Sequence, residues 1–322
     1  MVTIKDVAAA AGVSPSTASR ALNDKGSISP KVRAQIKKVA KELNYLPNEM
    51  ARSLQTKRTH MIGVVAHRVD KPFFGRLVQS IERRCYENDY KLLLCTTGGN
   101  VDRENSFAMM FDANKLDGAI LAGWVDYDSD FMDMTLPVVT VERYIADAIP
   151  MITSDNIGGG RLAARTLQER GCTCAAMFMS SGVSMEERYQ GFSEECGRLG
   201  LRQIRLEVPA LEELDGNELT FFEELIRNHP EVDGYFGVDE HALLCRDVCR
   251  SLGYKIPEQI QIVGYDGLDL SSQYHMTTIA QPIEQIGALA YDLLMNLIDG
   301  QITASRSILP VKLIERDTTR KK

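Results

Sequence analysis

The stretch from Thr3 to Asn23 leaves the start of this chain few ways to fold. Small residues crowd two short segments on either side of Gly12, which suits two helices meeting closely across a tight turn, with Arg20 on the outer side of the second. Cap signals mark each helix. Thr3 with Asp6 three positions on opens the first like a capping box. Ser14 before Pro15 gives the second an N-cap and a proline at its first position, where the missing N–H costs nothing, and Ser29 before Pro30 repeats the device for a third. Ile4, Val7 and Ala11, then Ala18 and Leu22, then Val32, Ile36, Val39, Ala40 and Leu43 each fall on one helical face. Three amphipathic helices around a small core are expected, in a helix-turn-helix arrangement.

Charge suggests what this head meets. Residues 1–60 hold 11 Lys and Arg against 4 acidic residues, net +7, whereas the whole chain is −7, which leaves −14 for the body. A basic concentration beside a helix-turn-helix is the electrostatic footprint of phosphate contacts; the bland alternative is a solvated charged face.

Beyond residue 60 the texture changes. Met61–Ala66, Lys91–Thr96, Gly118–Ala122 and Pro137–Val141 are short apolar runs separated by helical patterns over Phe74–Asn88 and Arg103–Asn114. A second set follows at Cys174–Met179, Asp233–Val238 and Gln261–Tyr265, with helices near Ile157–Arg170, Met185–Leu199, Asn217–Asn228 and Glu240–Leu252. Near-continuous apolar strands alternating with helices mean parallel sheets covered on both faces, so the body is expected to be α/β, two lobes with a cleft between them.

The head pattern, with Leu43-Asn-Tyr-Leu-Pro-Asn48 and Ala51-Arg-Ser-Leu54 after it, resembles the LacI/GalR family of bacterial transcription regulators over essentially the whole length. Ala18 departs from a usual valine, a change between small apolar residues. The resemblance implies a lambda-repressor-like all-α head over 1–46, a hinge helix and linker over 47–59, and a periplasmic-binding-protein-like body over 60–322. In that body two Rossmann-like lobes are crossed three times by the chain, with the N-terminal lobe at about 60–156 and 284–305 and the C-terminal lobe at about 157–283 and 306–322. It also implies that Pro15 and Ser16 point at base edges and that Arg20 reaches a guanine, whose O6 and N7 suit its planar fork. Thr17 and Ser19 serve equally as phosphate contacts or packing residues, and Asn23 caps its helix or touches a phosphate. Thr3, Ser14, Ser29 and Tyr45 complete the expected DNA-facing set.

The hinge, with Asn48 as N-cap, is too short to be stable alone and is expected to fold on DNA. By resemblance Leu54 wedges into the minor groove, with a plain core leucine as the alternative, while Ala51 permits close approach and Met50 packs between hinges.

Ligands of open parallel sheets bind beyond the carboxyl ends of the strands. That rule and the resemblance together single out Phe73, in a loop where Lys71 replaces the usual Asn; Trp124, as sugar platform or core filler; Arg188 and Asp266, matching effector-binding positions; Asp239, where an Asn is usual; Asp155, lining the cleft or only starting a helix; and Ile283 as an apolar wall. Carboxylates, a guanidinium and aromatic platforms suit a sugar or sugar phosphate, with a nucleoside or purine corepressor as the alternative.

Five scattered histidines, with no metal-ligand spacing, nucleophile elbow or phosphate loop, argue against an enzyme and against any metal or cofactor. The triple glycine Gly158–Gly160 reads as a packing or turn feature. Seven cysteines, an odd number in mostly apolar surroundings, are expected to be reduced and buried, in keeping with the cytoplasm and with a first residue that already belongs to the head. No run reaches transmembrane length. A homodimer on a near-palindromic double-stranded operator is expected, without the tetramer-forming tail of some relatives. The reading is of a repressor released from DNA by its effector, against a ligand-independent architectural DNA binder.

Overall fold

The computed structural model describes residues 2–23, 26–45, 58–123, 130–132 and 134–321. They form two compact units, Met1–Thr59 and His60–Lys322.

In the first unit, α1 (Ile4–Ala11), α2 (Pro15–Leu22) and α3 (Pro30–Glu42) begin where the cap signals place them. The Asp6 carboxylate accepts from the Thr3 N–H at 2.8 Å and the Thr3 hydroxyl at 2.7 Å. Ser14 Oγ accepts from the Thr17 N–H at 3.1 Å, and Ser29 Oγ from the Val32 N–H at 3.4 Å. Gly12 ends α1 in the left-handed region at φ 66°, the conformation glycine reaches without penalty. Val7, Ala8, Ala11, Ala18, Ala21, Ile36 and Ala40 form the core. Ala8 and Ala21 join the faces read from periodicity, and their small size lets α1 and α2 approach.

The second unit holds two six-stranded sheets. In the first, β1 (Met61–Ala66), β2 (Lys91–Thr96), β3 (Gly118–Ala122), β4 (Val138–Val141), β5 (Met151–Ser154) and β11 (Arg306–Leu309) lie all parallel in the order β11-β5-β4-β3-β1-β2. α4 (Pro72–Glu87), α5 (Val101–Ala113) and α11 (Ile283–Ile298) accompany it. The second sheet comprises β6 (Cys174–Met179), β7 (Arg202–Glu207), β8 (Gly234–Phe236), β9 (Gln261–Asp266), β10 (Thr278–Ala280) and β12 (Lys312–Ile314) in the order β12-β10-β9-β8-β6-β7. Only β12 runs antiparallel to its neighbour. Its helices are α6 (Asn156–Glu169), α7 (Val183–Leu199), α8 (Glu218–Asn228), α9 (Asp239–Ser251) and the short α10 (Asp269–Gln273).

The chain passes between lobes three times: from β5 to α6, from β10 to α11, and from β11 to β12. The last passage corrects the expected boundary at 305. Arg306–Leu309 extends the backbone ladder of Met151–Ser154, so the N-terminal lobe runs through Leu309.

The triple glycine proves to be a packing device. A Cβ on Gly160 would stand 1.9 Å from the Arg188 carbonyl oxygen, and one on Gly191 would stand 2.0 Å from that of Ile157. Backbone therefore meets backbone where α6 crosses α7, and this contact fixes the height at which Arg188 leaves its helix.

Candidate functional site: a recognition helix and an inter-lobe cleft

On the head, Thr3, Ser14, Pro15, Ser16, Arg20, Asn23 and Ser29 are exposed, while Thr17, Ser19 and Tyr45 are half-buried. Asn23 Nδ2 donates to the Ser19 carbonyl at 2.9 Å, which is the capping alternative. Tyr45 packs against the core of the head. Asn48, Met50, Ala51 and Leu54 lie outside the described residues.

In the body, a cavity of about 150 Å³ opens between the lobes, past the carboxyl ends of the strands. Arg188, Asp266 and Phe73 line it. The Arg188 guanidinium lies 3.9 Å over the Tyr265 ring, and its Nε donates to Asn156 Oδ1 at 2.8 Å. Ring and amide together hold a buried cation in one orientation. Asp266 ends β9 with φ 114°, a conformation that costs a non-glycine residue about 1–3 kcal/mol and is tolerated mostly at functional sites. Gln281 Nε2 donates to Asp266 Oδ1 at 2.6 Å, while Gln281 Oε1 accepts from the Ser154 hydroxyl at 2.6 Å. Burial pushes the Asp266 carboxyl up to about 8, so at neutral pH it presents a proton to the cleft.

Sequence reasoning missed Glu142. It leaves β4 with φ 53° and collects four donors: the Ser154 N–H at 2.7 Å, the Thr153 hydroxyl at 3.0 Å, Asn156 Nδ2 at 3.0 Å and the Ser184 hydroxyl at 2.6 Å. It directly follows the apolar run Pro137–Val141, so the strand-exit rule applied to every run would have found it. His241, one residue past Glu240 on α9, was missed too. It is buried and lines the cavity, its Nδ1 meets no hydrogen-bond partner among the described residues, and burial lowers its pKa to about 4.

Ion pairs bridge the mouth. Lys71, at the start of α4, reaches Glu212 at 3.0 Å and Glu240 at 3.4 Å, and Arg68 reaches Glu212 at 3.1 Å. Both cations stand on the N-terminal lobe and both carboxylates on the other. The Lys71 that departs from the usual Asn is thus one half of an inter-lobe latch.

Three expected effector residues do not reach the cavity. Asp239 is fully buried, and its carboxylate accepts from the Leu268 N–H at 2.8 Å and the Thr278 hydroxyl at 2.6 Å, which ties α9 to the strands beside it. Burial raises its pKa to about 6. Asp155 spends its carboxylate as the N-cap of α6, accepting from the Gly158 N–H at 2.8 Å, the structural alternative. Ile283 is sealed in the core of the N-terminal lobe. Trp124 lies outside the described residues.

All seven cysteines are buried. Among the described residues no group of three His, Cys, Asp or Glu side chains could hold a metal ion, and no helix is long and apolar enough to cross a membrane.

Residues 3–48 match the family described as bacterial regulatory proteins, lacI family, and residues 164–319 match the periplasmic binding protein-like domain. Over 320 residues the chain is 36% identical to the sucrose operon repressor of Pediococcus pentosaceus, covering 97% of this chain and 98% of that one. It is 34% identical to the ribose operon repressor of Halalkalibacterium halodurans, over 99% of this chain and 98% of that one. Among solved structures, the lac repressor dimer bound to operator and the anti-inducer ONPF superposes with a TM-score of 0.86 at 25% identity, over 99% of both chains.

Proposed function

Because this chain belongs to the lacI family of bacterial regulatory proteins, we propose that it represses carbohydrate uptake or catabolic genes and leaves its operator when a small sugar enters the cleft. One observation carries the reading. Arg188, Asp266 and Gln281 face one cavity beyond the strand ends of both lobes, in a chain whose head exposes Arg20 on the second helix of a helix-turn-helix.

The cleft chemistry suits hydroxyl groups. Arg188 and the protonated Asp266 donate, Glu142 and Glu240 accept, and Phe73 offers an apolar face to a ring; a sugar hydroxyl needs both kinds of partner. The cleft reads as a receptor for a hydroxyl-bearing ligand. In the head, Arg20 reads a guanine and Pro15 and Ser16 approach base edges, while Ser14 and Asn23 act through the helix they cap. Thr17, Ser19, Ser29, Thr3 and Tyr45 support the backbone contacts. Each protomer of a cytoplasmic homodimer takes one half-site of a near-palindromic operator. Sugar and operator oppose one another with equal strength, since a coupling free energy acts in both directions.

Titrating the protein with duplexes from upstream of neighbouring carbohydrate genes, with and without sugars, tests this. Binding that sugar weakens supports the proposal, and binding that every sugar leaves untouched favours the architectural alternative.

A further inference from the structure

The cleft holds more information about its ligand than that it takes a sugar. Among the described residues four carboxyl groups line it, Glu142, Glu212, Glu240 and Asp266, against two full cations, Lys71 and Arg188. Lys71 is paired, whereas Arg188 has no carboxylate within ion-pair distance among the described residues. Lys71 lies within ion-pair distance of both Glu212 and Glu240, and Arg188 is committed to Asn156 and the Tyr265 ring. With Asp266 carrying its proton, and with Arg68 and its partner Asp70 counted at the mouth, the carboxylates Asp70, Glu142, Glu212 and Glu240 still outnumber the cations Arg68, Lys71 and Arg188. A phosphate arriving here would meet excess negative charge with Arg188 as its one unpaired counter-ion, and recruiting Lys71 as a second would break the latch, a costly exchange in a partly buried site.

Size acts in the same direction. The cavity is about 150 Å³ with the latch formed, and a protein cavity of that volume accommodates one six-membered ring such as benzene. A second ring would extend to the mouth, where Lys71 and Arg68 pair with Glu212 and Glu240. The polar groups of the cavity come from separate elements. Asp266 and Gln281 stand at the ends of β9 and β10, Arg188 on α7, Glu240 and His241 at the start of α9, and Phe73, Phe74 and Leu268 lie among the lining residues as apolar surface.

We infer that the effector is one uncharged monosaccharide ring, over which Lys71 and Arg68 close on Glu212 and Glu240, and that the cleft rejects phosphorylated sugars and disaccharides. This rests on the sugar-effector reading above and narrows it. Lys71, Glu212 and Glu240 are here specificity residues: their pairing withholds the lysine a phosphate would need as a second counter-ion and bridges the mouth of the cavity.

The test uses the full-length protein on its operator duplex, with thermal melting in parallel. Probes are fructose, glucose, galactose, mannose and ribose, then sucrose, then fructose 6-phosphate and glucose 6-phosphate. At least one neutral monosaccharide is expected to raise the melting midpoint and to weaken operator binding at least tenfold, at concentrations where sucrose and both phosphates are inert. Sucrose or a hexose phosphate acting at lower concentration than every monosaccharide overturns the inference and leaves the sugar reading standing. Silence from all probes while operator binding persists overturns both. In the double variant Glu212→Gln/Glu240→Gln, which frees Lys71 and leaves Arg68 on Asp70 alone, hexose phosphate binding should strengthen at least tenfold over the parent. No gain in a variant that still melts cooperatively overturns the charge argument.

Discussion

The Ser184 hydroxyl donates to the Glu142 carboxylate at 2.6 Å, a bond that joins α7 of one lobe to the exit of β4 in the other. Glu142 is buried, and its other three donors come from Thr153, Ser154 and Asn156 around the first crossover. Asn156 also receives Arg188. The effector-facing guanidinium and the inter-lobe bond thus share one amide, so a ligand that moves Arg188 acts on the contact that sets the lobes.

Ser184→Ala should weaken effector binding roughly twofold to tenfold, because one hydrogen bond of the closed lobes, about 0.5–1.5 kcal/mol, is lost. Calorimetric titration of the free protein measures it. Unchanged affinity would show that the bond does not report on closure.

Behind Glu142, Arg143 donates to Glu104 through both terminal nitrogens, at 2.9 and 2.8 Å, with both residues buried. Glu104→Ala removes the bidentate carboxylate from a buried guanidinium and should destabilise the body by about 3–5 kcal/mol. Urea unfolding reads this as a lower midpoint. A loss below about 1 kcal/mol would mean the pair is not holding the β4 exit.

Arg20→Ala should cost about 1–3 kcal/mol of discrimination at one guanine of each half-site, with far less effect on non-specific DNA. Competition among operator duplexes altered one base pair at a time shows it, and an unaltered base preference would remove Arg20 from the recognition surface.

Between pH 6.5 and 8, stability should fall as pH rises. The Asp266 carboxyl sits at about 8 in the folded protein against 3.8 ordinarily, so in this window the native state keeps a proton that the unfolded chain has lost, and each rise in pH favours unfolding. His241, lowered to about 4, acts in the opposite sense only below its ordinary 6.5, where acid destabilises by charging the unfolded imidazole first. Asp266→Asn imitates the protonated acid and should flatten the decline. Melting midpoints at pH 6.5 and 8 decide it, and parallel declines in parent and variant would reject the assignment.

Much of the fold could be read directly because burial on both faces writes itself into composition. β1, β3 and β6 fill the apolar runs to the residue, and so does β2, an edge strand whose leucines are half-buried or exposed. β7 and β11 escaped notice for the converse reason: as edge or near-edge strands they carry Arg202, Arg205, Glu207 and Arg306, and their pattern is diluted by solvent-facing charge. β5, β10 and β12 span only three or four residues, too few to show a period.

In the cleft, position along a strand proved readable and side-chain direction did not. Asp239 and Asp266 both stand at strand exits, yet the first turns inward to satisfy the Leu268 N–H and the Thr278 hydroxyl, a need that arises only once α9 is docked. Glu142 and the Lys71–Glu212–Glu240 latch depend on pairs 42 to 169 residues apart in sequence, which no local pattern encodes. Arg188 was legible because its motif and the Gly160–Gly191 crossing that positions it leave it one place to go.

The central claim is that a basic helix-turn-helix head holds duplex DNA and a sugar-filled cleft loosens that hold. Fluorescence anisotropy of a labelled operator duplex, titrated with the full-length protein at low salt with and without a neutral monosaccharide, tests it most directly. The account predicts tight binding that the sugar weakens at least tenfold. Failure to bind any duplex from the organism's own genome, or binding that the sugar tightens, would contradict it.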